Sequence, residues 1–357
     1  MVDQNTDFFQ ITDNFKEHAN TRSISLIASK LNFTPKVTIV IPTYKRTDLL
    51  QEALESAINQ EGYDHYNIIV VDDNPERGCE TEKLLGSYSN SRISYYKNEQ
   101  NLKMIGNTNR CFELADAEWV VMIHDDDLLL PDFLKECMKI VDQEPDIGIL
   151  KPAQYQLHDR DKLDVSKFSS SKKITRVYDT DHCLSNTVGA NTGIMFNGKK
   201  FFSLGGFNPQ YLLSMDLCLV VLFSHFYKVY KMDRVLSVYR WISNSSLNID
   251  TLKGFVIVDF RLYSFLLRYF KVPANIAANI LNLKFNEIEK TYKKVNENFA
   301  FDVNTLGIKP IKPAAVKIYY YILKGITAFY RAVYFFNGGN IFKRRLAKAQ
   351  LLQQAAR

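Results

Sequence analysis

The chain has 357 residues, 46% of them apolar and 24% charged, enough for a sizeable core and for two units. Its five cysteines (Cys79, Cys111, Cys137, Cys183 and Cys218) are scattered and make no CxxC pair, which argues against a structural zinc site and predicts reduced thiols. The net charge of +6 is uneven: the stretch 303–357 carries ten Lys and Arg and no Asp or Glu, leaving the remainder at −4, so an anionic partner is expected for the tail.

Residues 1–34 are polar and weakly patterned, with at most one short helix. The opening "MVDQNTDFFQITDNFKEH" has no apolar core of signal-peptide length, and no apolar run reaches the length of a spanning helix. "VTIVIP" (Val37–Pro42) reads as a buried strand, β-branched and stopped by proline. A helix follows, with Leu49, Leu50, Ala53, Leu54, Ala57 and Ile58 at helical spacing. "NIIVVDD" (Asn67–Asp73) is a second strand. A helix is expected at Glu80–Tyr88, a strand at Ile93–Asn98, a helix at Ile105–Ala115 and a fourth strand in "EWVVMIHDDD". A further helix is expected to open at Pro131, whose missing N–H costs nothing there. Past 150 come strand and turn pieces around a helix at Asp216–Phe226, and past 250 the chain reads as helical.

Alternating strands and helices predict an α/β fold with a doubly wound, mostly parallel sheet and helices on both faces. Ligands in such sheets bind beyond the carboxyl ends of the strands. Two strands end in acids there, Asp72 with Asp73 and then Asp125 to Asp127. Clustered carboxylates are stable when a divalent cation neutralises them, and oxygen ligands suit Mg²⁺ or Mn²⁺ holding a substrate diphosphate. Alternatively Asp127 caps the next helix. "IPTYKRTD" has no glycine, which disfavours a dinucleotide-binding turn and a P-loop.

Five stretches in order, "VTIVIPTYKR", "IIVVDDNPER", "NEQNLKMIGNTNRCFELADAEWVVMIHDDDLLLPDFL", "TGIMFNGKKFFSLGGFNP" and "SMDLCLVVLFSHFYKVYKMDRVLSVYRW", resemble the inverting glycosyltransferases of GT-A fold, family 2. The resemblance implies a catalytic domain at 35–248, with a nucleotide-binding half at about 35–130 and an acceptor half at about 131–248. An N-terminal extension (1–34) and a helical C-terminal region (249–357) flank it. It implies a UDP-sugar donor held at Asp73, Thr43 and Arg46, with Asp126 and Asp127 as ligands of Mn²⁺ or Mg²⁺ and Asp125 toward the ribose. His124 replaces the first acid of the family's DxD element and is itself a candidate ligand. Asp216 falls at the catalytic base, where many relatives have a Glu-Asp pair; here Met215 precedes it. Its other reading is the N-cap of the following helix. Lys103 stands where relatives often carry glycine, and with Asn109 is placed at the donor. Arg240 is the candidate for phosphate contact, or else a structural partner of a carboxylate.

In the tail, Lys317, Lys324 and Arg331 recur every seven residues. Tyr319, Ile322, Ile326, Phe329, Tyr330 and Val333 are expected on the opposite side of one helix. This suits a peripheral helix at an anionic membrane, packing on the catalytic domain, or a homodimer contact. The resemblance as a whole implies transfer to a saccharide on a lipid diphosphate, for O-antigen or capsule, at the cytoplasmic membrane face. No nucleic-acid module is present. A nucleotidyltransferase and a non-catalytic sugar- or membrane-binding protein are the alternatives.

Overall fold

The computed structural model describes residues 3 and 5–355, apart from 145, 159–162, 165–167, 169–170, 184–191, 242–247, 303–305, 307–312 and 338–339. Its elements in chain order begin with β1 (Ser23–Ile27), β2 (Val37–Thr43), α1 (Thr47–Ile58), β3 (Tyr66–Asp72), α2 (Glu80–Gly86), β4 (Ile93–Asn98), α3 (Lys103–Glu113) and β5 (Trp119–Met122). Next come β6 (Leu128–Leu129), α4 (Phe133–Val141), β7 (Ile147–His158), β8 (Ile174–Val177), β9 (Ile194–Asn197), α5 (Gly198–Ser203), α6 (Met215–Phe226) and β10 (Lys228–Trp241). Four helices close the chain: α7 (Ile249–Tyr269), α8 (Ala274–Val295), α9 (Pro313–Asn337) and α10 (Asn340–Ala355).

One mixed sheet runs β1-β4-β3-β2-β5-β9-β7-β10-β6, with β8 also on β10. The pairs β4-β3, β3-β2 and β2-β5 are parallel, as is β7-β10, while β9 runs antiparallel to both of its neighbours. The central strand β2 is buried over nearly its whole length, as expected for a β-branched run covered on both faces. Chain order moves outward from β2 through β3 to β4 and then returns to β5 on β2's other side. The crevice at that reversal is where an open α/β sheet binds ligands.

Residues 1–34 are more than a polar extension. Among the described residues they hold one 3-10 turn, Lys16–His18, and β1, which pairs antiparallel with β4. Phe8, Phe9 and Ile11 are buried, and the Phe9 ring stacks on His225 with centroids 3.6 Å apart. The strand is hard to read because it lies at the sheet edge, half exposed and without clear alternation. Gly205 (φ 82°) lets the N-terminal segment lie against the domain, since a Cβ there would fall 1.8 Å from the Thr12 carbonyl oxygen. The helix expected at Pro131 starts later, at Phe133. Asp132 just before it is drawn into an ion pair with Arg234 instead of capping.

The long helix expected in the tail is present, but its rotation differs. The buried strip is Leu323, Thr327 and Tyr334, and Phe329 faces solvent. Two buried acids of the catalytic region set this: Arg331 pairs with Asp181 at 2.8 Å, and Asp179 accepts from Arg345 (2.9 Å) and from the Tyr334 hydroxyl (2.7 Å). Asp179 also bonds His225 at 2.8 Å. The side chains of Lys317 and Tyr319 lie outside the described residues. No described helix is long and apolar enough to cross a membrane.

Candidate active site

Thr43 ends β2, and the turn 124–127 leaves β5 beside it, so side chains from both meet at the crevice. The Thr43 hydroxyl donates to Asp125 Oδ2 at 2.8 Å. Arg46, at the head of α1, reaches Asp125 at 3.4 Å and Asp126 at 2.8 Å. Burial pushes the Asp125 carboxyl up to about 6, against the opposing pull of Arg46 and Thr43.

Asp127 is fully buried and belongs to the turn rather than to a helix cap. Its Oδ2 lies 3.0 Å from His124 Nδ1, and its Oδ1 accepts the Arg240 backbone N–H at 2.8 Å. Burial disfavours a charged His124, but the hydrogen bond to Asp127 and the charges of the three aspartates outweigh it and raise its pKa to about 9. Arg240 threads under the turn: its Nε donates to the Asp126 carbonyl and its Nη1 reaches Glu52 Oε2 at 2.5 Å. Its buried Nη2 has no protein partner among the described residues. So Arg240 is first a structural clamp, with one donor left over.

His124, Asp126 and Asp127 each offer a ligand atom, and these atoms lie within 4.8 Å of one another. One imidazole nitrogen and two carboxylates form a donor set that fits a divalent cation such as Mn²⁺ or Mg²⁺.

Asp72 does not open onto the crevice. Its carboxylate is fully buried and accepts from Lys97 at 2.8 Å and from Tyr95 at 2.9 Å. Asp73 does lie beyond the end of β3, but its Oδ1 accepts the Leu102 N–H (2.8 Å) and the Asn98 amide (2.9 Å), which hold the loop entering α3. Burial raises its pKa to about 6, against those two donors. Lys103 stands exposed at the start of α3 with φ 61°, a backbone conformation that favours glycine. Asn109, expected at the donor, has its amide engaged elsewhere. Both ends of its amide are taken by Phe207, at 2.9 Å each, so it ties α3 to the Gly205–Gly206 turn.

Asp216 is the second residue of α6, and Ser214 holds the N-cap position, so the capping reading fails. Its Oδ1 accepts the Leu217 N–H at 2.7 Å. Burial raises its pKa to about 6, opposed by that N–H and by the charges of His124 and Lys151. The acid is thus within electrostatic reach of the His124–Asp127 turn. Met215 points into the core.

Three residues here had no sequence signal. Lys151 on β7 is buried; its ammonium donates to the Thr192 carbonyl at 2.5 Å and to Gln154 at 2.6 Å. Burial lowers its pKa to about 7 while Asp127 and Asp216 oppose that fall. Glu52 is an exposed-side partner of Arg240, as described. Asp259 on α7 accepts the Ser214 hydroxyl at 2.8 Å, and burial with the nearby Asp216 raises it to about 7. A lone Lys in an apolar strand and single acids on amphipathic helices look like ordinary surface residues until the chain is folded.

Residues 38–201 match the family described as glycosyl transferase family 2. That stretch, a little under half of the chain, is similar to the family, and the sheet with its flanking helices has the GT-A-like arrangement of the solved structures below. Among curated relatives, the Campylobacter jejuni GalNAc(5)-diNAcBac-PP-undecaprenol beta-1,3-glucosyltransferase is 36% identical over 107 residues, 29% of this chain and 34% of that protein. The matches to the first curated relatives span between 34% and 75% of their lengths. Two solved structures share the fold. S. aureus TarS residues 1–349 with UDP-GlcNAc superposes with a TM-score of 0.55 at 15% identity, over 77% of this chain and 76% of that one. The mannosyltransferase PcManGT of Pyrobaculum calidifontis, with GDP-Man and Mn²⁺, gives 0.51 at 16% identity, over 94% and 91%.

Proposed function

We propose that this protein is a glycosyltransferase that moves a sugar from UDP, with inversion, to a saccharide acceptor carried on a lipid diphosphate, in the synthesis of a bacterial O-antigen or capsule. The observation that carries the reading is the meeting of His124, Asp126 and Asp127 at the sheet's reversal point, with the raised carboxyl of Asp216 within electrostatic reach of His124. The undecaprenol-linked acceptor named for the Campylobacter relative, and the UDP-GlcNAc bound by TarS, support the acceptor and donor classes.

His124, Asp126 and Asp127 would hold Mn²⁺ or Mg²⁺, which supplies positive charge for the departing diphosphate. The nucleotide would lie over the ends of β2 and β3, near Thr43, Arg46 and Asp73, with Asp125 toward the ribose and Lys103 at the rim. Arg46, now paired to Asp125 and Asp126, is the cation best placed to turn to the donor phosphates, and Arg240 Nη2 is a second donor. Asp216, as carboxylate, takes the proton of the acceptor hydroxyl while that oxygen attacks the anomeric carbon. The bond from that carbon to the UDP oxygen breaks, and its electron pair leaves with UDP. A single displacement needs no covalent intermediate and gives a β product from an α donor.

The test offers a panel of UDP-sugars with Mn²⁺ and a lipid-diphosphate saccharide, and reads the product's anomeric configuration by NMR. A β linkage from an α-linked UDP donor is expected. Retention, or transfer from GDP-mannose with every UDP-sugar inert, overturns the reading.

A further inference from the structure

We propose that the outward face of α9 docks on an anionic phospholipid bilayer. The inference deepens the reading above, because a lipid-linked acceptor is met at such a surface.

The rotation of α9 is set by directional contacts on one side. Arg331 pairs with Asp181, the Tyr334 hydroxyl donates to Asp179, and the Tyr330 hydroxyl donates to the Phe270 carbonyl at 3.2 Å. Leu323 and Thr327 are buried on that side. The other side is thereby turned outward. It carries Ile318 (62% exposed), Tyr321 (68%) and Phe329 (65%). Positions 318, 321, 325 and 329 share one side of a helix by their spacing. A Cβ at Gly325 would meet nothing within 4 Å, so the face is open along its middle.

Two aromatic rings and an isoleucine, each mostly exposed on one helix face, form a patch that water alone does not favour. The charge around it selects the occupant. The stretch 303–357 has no acid and ten basic residues, of which Arg331 and Arg345 are already paired with Asp181 and Asp179. Lys343, Arg344 and Lys348 are exposed on α10, the helix that follows. A second copy of this chain would bring two such basic stretches together, and like charges would oppose the contact. An anionic bilayer attracts the same charges and accepts aromatic and aliphatic side chains at its headgroup boundary.

The experiment sediments the full chain, without donor or acceptor, with phosphatidylcholine vesicles and with vesicles containing about one-third phosphatidylglycerol. Binding to the anionic vesicles alone, weakened by salt, is expected. The variant I318E/F329E should lower partitioning by at least about tenfold with an unchanged melting temperature. The uncharged variant I318S/F329S provides a second reading if the first does not fold, and should also bind more weakly. The proposal is overturned by any of three results: wild type that stays in solution, variants that bind as well as wild type, or a concentration-dependent dimer that the variants dissolve. UDP release to a soluble saccharide acceptor is measured on the same proteins. Vesicle binding without release counts against the transfer reading alone, and release without vesicle binding counts against this one alone.

Discussion

His124 Nδ1 lies 3.0 Å from Asp127 Oδ2, so the histidine that stands in the place of an acid is bonded to the innermost acid of the same turn. That bond, and the Arg240 N–H on the other Asp127 oxygen, fix the turn from beneath while Asp126 stays nearest Arg46. A histidine here keeps a ligand atom at the cluster without adding a fourth negative charge. His124→Ala should therefore raise the Mn²⁺ concentration for half-maximal activity by about 10–100-fold. A Mn²⁺ titration of sugar transfer checks this, and an unchanged titration removes His124 from the metal site.

Asp216→Asn keeps the shape of the carboxyl and cannot accept the proton. The turnover number should fall by about 10²–10⁴-fold, with UDP affinity unchanged by calorimetry. The pH profile gives a separate check. The base works only when ionised and its pKa is raised to about 6, so wild-type activity should rise with pH through that value. The residual activity of the variant should lack this limb.

Asn109 holds the backbone of Phe207 with both ends of its amide, so its removal should register in stability rather than in donor binding. Asn109→Ala leaves two buried backbone groups unpaired and should cost about 1–3 kcal/mol in denaturant unfolding. The donor KM should stay at the wild-type value; a large rise would return Asn109 to the donor site.

Asp179 joins His225, Tyr334 and Arg345, and so fastens the C-terminal helices to the end of α6. Asp179→Ala strands a buried guanidinium and should cost about 3–5 kcal/mol. Burial would raise the Asp179 carboxyl, but His225, Arg345 and Tyr334 together hold it below the usual range. Burial also lowers the His225 imidazole, against its bond to Asp179. Both depressed groups bind protons more readily in the unfolded chain. The contribution of this pair should shrink as pH falls below about 6.5, the ordinary histidine value, and shrink further below about 4 as unfolded carboxylates protonate, so the gap in stability between wild type and Asp179→Ala should narrow. Melting temperatures between pH 8 and pH 4, compared with the Asp179→Ala series, check the sign.

The strands β2, β3, β4 and β5 and the helices between them were legible because each is a short buried run with turn chemistry at its ends. So were the acids after β5, since charge at a strand end is conspicuous. Asp72 and Asp73 looked alike in sequence, and only pairing in space separates them: Lys97 and Tyr95 come from the neighbouring strand to claim the first. Arg240 and Lys151 depend in the same way on strand neighbours far away in the chain. The rotation of α9 was illegible because the acids that fix it, Asp179 and Asp181, lie about 150 residues earlier.

The central claim is that the His124–Asp127 turn binds a divalent cation that the transfer requires. It is tested most directly by UDP release from a UDP-sugar and a lipid-diphosphate saccharide, in Mn²⁺ and in EDTA, for wild type and Asp126→Ala. The account predicts release by wild type in Mn²⁺ only, restored when Mn²⁺ is returned, and none by Asp126→Ala. Equal release in EDTA, or release by Asp126→Ala at the wild-type rate, would contradict it.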